Sequence, residues 1–179
     1  MKATAIFSAA FALSLIAAPA LVLADGGGGG GGGSGGANAG CQRGEVWDQR
    51  SGRCVKQGSA LPDKVLRDYA YALAKAERYD EALDTLNLLR DPNTAEALNY
   101  RGYATRKLGR VDEGIGYYLK SVAKDPHYAQ VREYLGEAYV IKGNTTAAEA
   151  QLDAIKGICG TGCEQYKHLA EAIANPAKL

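Results

Sequence analysis

Two stretches of this chain, residues 95–128 and 129–162, are equal in length and run in phase. In the first, Leu98, Gly102, Gly114, Tyr118 and Pro126 mark the pattern. In the second, Leu135, Gly136, Tyr139, Ala148 and Leu152 carry it. A slightly shorter unit, 63–94, precedes them with Leu66, Ala70, Leu73, Ala82 and Leu86, and its shortfall lies near Pro92. Residues 163–175 fall in phase as one more first helix, with Tyr166, Leu169, Ala170 and Ile173 on its inner face and Lys167, His168 and Glu171 outside. A period of about 34 residues marks stacked supersecondary units, none of which can bury its apolar face alone.

Within each unit the apolar spacing predicts two amphipathic helices of about 11 to about 15 residues. The small pairs Ala70/Ala82, Gly102/Gly114 and Gly136/Ala148 are expected where the two helices of a unit cross. A helical glycine costs about 1 kcal/mol against alanine, so two in one unit argue for close backbone approach. Asn144 and Thr145 suit a helix start, and Gly109 and Gly143 end helices at equivalent points.

Period, small-residue positions and Pro126 together resemble the tetratricopeptide repeat family over residues 63 to 175. The chain departs from that pattern at Arg101, Thr105 and Arg132, and its last full repeat lacks a closing proline. The resemblance implies an all-α fold: a right-handed solenoid of about three helix pairs (63–94, 95–128, 129–162) and a capping helix (163–175). It also implies a concave face lined by the first helix of each pair. Carried over residue by residue, that face comprises Lys64, Arg67, Tyr71 and Lys75, then Glu96, Asn99, Tyr103, Arg106 and Lys107, then Gln130, Glu133, Glu137 and Val140. It is basic and aromatic at one end, acidic and apolar at the other. Arg67 and Asn99 partly resemble the family's clamp for a terminal carboxylate, but Tyr71 breaks that set.

The N-terminal part has a different composition. Lys2, the uncharged run Ile6 to Ala18 and Val22-Leu23-Ala24 predict a cleaved signal peptide over 1–24, too short and alanine-rich for a membrane span. Residues 25–40, glycine-rich, are expected to form a disordered tether with a reach of roughly 20 Å. Export would place the four cysteines in an oxidising compartment, the periplasm by default.

Cys41 and Cys54 bracket Val46-Trp47 and the turn residues Asp48 to Gly52, which predicts a disulfide-closed hairpin, a small separate unit over 41–58. Trp47 is expected to pack on the hairpin or the repeats; exposed, it could stack on a sugar ring. Cys159 and Cys163 read as a local disulfide between the last repeat and the capping helix. The competing reading is a metal or redox site with His168, although structural zinc usually has four ligands and a redox pair has two intervening residues.

Nothing in the sequence assembles a catalytic site, a phosphate loop or a cofactor fingerprint. The formal net charge of +1, near zero once Lys2 is removed, calls for neither nucleic acid nor anionic lipid. The function expected is therefore a non-enzymatic, exported adaptor for a protein or peptide. The alternatives are a wall-polysaccharide reader using the hairpin, or a sensor using Cys159 and Cys163.

Overall fold

Apolar stripes at helical period cannot be satisfied singly, and in the computed structural model they pair. The structure describes residues 40–56 and 61–179; the expected signal peptide, and the tether up to residue 39, lie outside them. Among the described residues the chain forms a hairpin, β1 (Glu45–Asp48) and β2 (Arg53–Lys56), followed by helices α1 (Asp63–Lys75), α2 (Tyr79–Leu86), α3 (Ala95–Lys107), α4 (Val111–Lys124), α5 (Ala129–Ile141), α6 (Thr145–Cys159) and α7 (Glu164–Ala174). A 3₁₀ turn, Pro176–Lys178, follows α7. Helices α1 with α2, α3 with α4, and α5 with α6 form the three pairs, and α7 packs on both α5 and α6.

The reversals inside the pairs are equivalent. After α3, the Arg110 N–H donates to the Thr105 carbonyl and the Gly109 N–H to Arg106. After α5, Asn144 donates to Tyr139 and Gly143 to Val140. Both glycines sit at positive φ, the left-handed turn that satisfies orphan carbonyls at a helix end. In the first pair Glu77, at φ 61°, takes the same place, with Arg78 donating to Leu73. A side chain is strained there, so this reversal costs the fold more than the other two.

Helix α2 is a short one of 8 residues, about two turns, and falls below the length that the periodicity predicts. Pro92 disfavours helix in the residue before it. The freed segment is tied back instead, because the Asp63 carboxylate accepts the N–H groups of Arg90 and Asp91 at 3.1 and 2.9 Å. Leu89 then fills the core from the loop.

The glycines of the second pair make a close crossing. A methyl group on Gly102 would lie 2.6 Å from the buried Tyr118 ring, and one on Gly114 would lie 3.0 Å from the Gly102 carbonyl oxygen. At Gly136 a methyl group would run into the Leu169 side chain of α7, so this glycine also makes room for the capping helix. The departures from the family pattern also have local reasons. Arg101 donates to Asn87 at 2.8 Å and lies over the Tyr117 ring, and Arg132 donates to the Pro126 carbonyl and to Gln151.

The hairpin is not a separate unit. The Cys41–Cys54 disulfide closes it, Val46 pairs with Val55, and Trp47 with Cys54. Cys41 and Val46 are buried in one cluster with Leu66 and Tyr69, and Trp47 packs against that cluster. Arg78 donates to the Cys41 carbonyl at 2.9 Å, and Arg43 pairs with Asp84 at 3.3 Å. The hairpin thus covers the open end of the first pair, as α7 covers the last. The Cys159–Cys163 disulfide ties α6 to the start of α7.

Two substitutions of one kind should therefore have opposite signs. Gly102→Ala gains about 1 kcal/mol of helix propensity but overpacks against Tyr118 at a cost of about 1–3 kcal/mol. Gly116→Ala, in α4 with nothing within 4 Å of the added carbon, keeps the gain. Urea unfolding should show the first variant destabilised and the second stabilised by about 1 kcal/mol.

Candidate functional site

The first helix of every pair faces one side of the stack, and α7 continues the row. Together α1, α3, α5, α7 and the C-terminal turn enclose a groove of about 330 Å³. Its wall takes Tyr71 and Lys75 from α1, and Tyr103, Arg106 and Lys107 from α3. Gln130, Glu133, Tyr134 and Glu137 come from α5, and Glu164, Gln165 and His168 from α7. Lys178 and Leu179 close one end.

Aromatic rings make the floor. Tyr103 and Tyr134 lie with centroids 5.1 Å apart, and Tyr71 stacks on Tyr100 at 4.8 Å. Burial raises the Tyr103 and Tyr134 phenols above their ordinary range, so both stay neutral. The Arg106 guanidinium packs against both rings, 5.8 Å from one centroid and 5.9 Å from the other. It donates to Glu137 at 2.6 Å and to the Tyr118 hydroxyl at 3.3 Å. Its side chain is only 1% exposed. A cation this deep needs all of those partners.

The two ends differ in charge. Lys75 and Lys107, in the last turns of α1 and α3, approach the same Tyr103 ring at 5.9 and 6.0 Å. Both are exposed. At the other end the Glu133 carboxylate, 7% exposed, lies 3.0 Å from Nδ1 of His168, whose other nitrogen is 3.8 Å from Glu164. Burial, with repulsion from Glu137 and Glu164, pushes the Glu133 carboxyl up to about 7; the His168 hydrogen bond opposes that rise.

Of the residues expected on the concave face, Tyr71, Lys75, Tyr103, Arg106, Lys107, Gln130, Glu133 and Glu137 come together in the groove. Lys64, Arg67, Glu96, Asn99 and Val140 do not line it. Lys64 pairs with Asp68 along α1, and Arg67 pairs with Glu96 at 3.3 Å. Asn99 is fully buried and donates to the Tyr128 hydroxyl at 3.1 Å. Arg106, read from the sequence as a contact for a partner, is held inside the scaffold instead. His168, placed on the outer side of the capping helix by its spacing, turns into the groove. It stands one repeat of 34 residues after Tyr134, as Tyr134 does after Tyr100, and that periodicity points it into the groove. Glu164, Gln165, Lys178 and Leu179 join the wall as well, because the capping helix both seals the stack and continues the row of first helices. Among the described residues no group of three or more His, Cys, Asp or Glu side chains is arranged to hold a metal ion. Cys159 and Cys163 are bonded to each other.

Glu133 carries a pH signature. Its folded-state value is raised above the ordinary 4.5, so its contribution to stability is full below that value and is lost as pH rises through about 7. Between about pH 5 and about pH 8 the native protein should lose stability relative to a Glu133→Gln variant, measured by urea unfolding. Parallel pH profiles for the two proteins would contradict the buried, weakly compensated carboxylate.

Comparison with known proteins agrees with this architecture. The sequence matches the family model for the tetratricopeptide repeat at residues 70–129 and again at 101–162. None of the curated proteins matches the sequence. Among solved structures, the type III secretion translocator chaperone SycD of Yersinia enterocolitica is similar, with a TM-score of 0.55 at 18% identity, over 65% of this chain and 95% of that one. The same chaperone in complex with a peptide of the translocator YopD gives 0.53 at 17% identity, over 64% of this chain and 88% of that one. MamA gives 0.50 at 18% identity, over 65% and 81%. At such identities these structures speak to the fold alone. With two overlapping matches to the family model and three stacked helix pairs, the chain belongs to the tetratricopeptide repeat family.

Proposed function

We propose that this protein is an exported, non-enzymatic adaptor that holds a segment of another protein in the groove walled by α1, α3, α5 and α7. The observation that carries the reading is the groove itself. Its floor is ordered by a buried ion pair and packed tyrosines, while Lys75 and Lys107 on its rim remain exposed. A preformed floor spares a ligand the entropy of ordering it, and tyrosine and charged side chains give stacking and directional polar contacts. The chaperone SycD, similar in fold, has been crystallised with a peptide of its translocator, which supports a peptide as the kind of ligand this architecture takes.

The signal-like segment over residues 1–24 supports export, with the periplasm as the proposed address. No helix among the described residues is long and apolar enough to cross a membrane. Trp47 is partly buried against the core cluster, which favours the groove over the hairpin as the binding face.

A photo-crosslinking amino acid in place of Lys107 should capture a partner protein in cells that express the chain natively. The same group in place of Leu119, exposed on α4 away from the groove, should not. Adducts from the Leu119 position alone would overturn the groove as the binding face.

A further inference from the structure

The groove carries an uncompensated charge at each end, and the two are of opposite sign. Lys75 and Lys107 crowd one aromatic ring, and neither has a carboxylate within ion-pair distance among the described residues. Two exposed ammonium groups beside one ring, neither answered by a carboxylate of the fold, attract an anionic side chain brought by a partner. At the far end three carboxylates, Glu133, Glu137 and Glu164, face the groove. Arg106 answers Glu137 and no other, while Glu133 has the His168 ring as its hydrogen-bond partner. A carboxylate buried to this degree should have a full counter-charge, and within the described fold it has an imidazole.

We infer that the groove selects a partner segment bearing both charges: an acidic side chain between Lys75 and Lys107, and a basic one against Glu133 and Glu164. The inference rests on the groove being the binding face and adds to it the chemistry of the ligand. Tyr103 and Tyr134, adjacent in the floor, join the two ends. Such an arrangement also fixes direction, because a segment laid in backwards would set like charges against each other at both ends, which is costly. Burial holds the Glu133 proton up to about 7 in the free protein. A docked ammonium or guanidinium displaces that proton, so capture of the basic side chain strengthens as pH rises through neutrality. The groups around Glu133 in this step are Glu137 on α5 and His168 and Glu164 on α7, while Arg106 of α3 and Lys178 of the C-terminal turn are already engaged, by Glu137 and Glu171.

The test is selection from a random-sequence peptide library displayed on phage, panned on the full chain and on three variants. The native protein should enrich peptides with an acidic and a basic residue at a fixed separation. Glu133→Gln should keep the acidic preference and lose the basic one. Glu164→Gln, at an exposed position that cannot disturb the fold, should weaken the basic preference. The double variant Lys75→Glu/Lys107→Glu should replace the acidic preference by a basic one. For a synthetic peptide so selected, reversing its basic residue should weaken binding by roughly tenfold or more, and the unmodified peptide should bind more tightly at about pH 8 than at about pH 5.5. Enriched peptides that lack the charge pair, or identical preferences for all four proteins, would overturn the inference and leave the groove reading standing. Enrichment of no sequence by the native chain would overturn both.

Discussion

A guanidinium with 1% of its side chain exposed has lost its water and must be answered by the protein around it. For Arg106 the answer comes from three helices. Glu137 on α5 supplies the opposite charge, Tyr118 on α4 a hydroxyl, and Tyr103 and Tyr134 two ring faces. Removing an ion of this kind from water costs roughly several kcal/mol, which only well-placed partners offset. The geometry that offsets it also fixes how the third helix pair sits on the second. Two apolar faces could pack at several registers, whereas a charge pair with one buried partner tolerates few. The groove floor is the visible side of this cluster.

The same crossing depends on what is absent. With side chains at 102 and 114, α3 and α4 would be held apart, and Tyr118 would lose the slot from which its hydroxyl reaches Arg106. The glycines, the tyrosine and the arginine are thus one arrangement in which small residues admit a large ring and the ring presents a polar tip to a cation. At the two ends of the stack other devices serve. The hairpin covers α1 and α2 through Cys41 and Val46, and Leu169 of α7 enters the space that Gly136 leaves open. Repeat proteins need such ends, because a terminal pair otherwise exposes the face that its neighbour would bury.

Much of this was legible in the sequence because it is periodic. Helix pairs, reversals at Gly109 and Gly143, the small residues at the crossing and the row of first helices all follow from one repeat length. What escaped was relational. Arg106 reads as a surface cation in its own helix, and its partner Glu137 belongs to the next repeat, at a position that only the stacked fold brings near. His168 reads as outward by helical spacing within α7, yet the helix is rotated so that this residue follows Tyr134 into the groove. The loop after the short α2 is held by Asp63 of the preceding helix, a contact that no local pattern announces. The hairpin's docking came from Arg78, a residue of the repeat that reaches back to the Cys41 carbonyl.

The Arg106–Glu137 pair holds the second and third helix pairs together and so builds the groove floor. A double-mutant cycle measures it: urea unfolding of the native protein, Arg106→Met, Glu137→Gln and the double variant. Each single change should be strongly destabilising, since it strands the other charge in a dry site, and the double change should cost less than the two added together, with a coupling of about 1–3 kcal/mol. Single-variant effects that add within about 0.5 kcal/mol would mean that the two side chains do not act as a pair, and the floor they are said to organise would need another explanation.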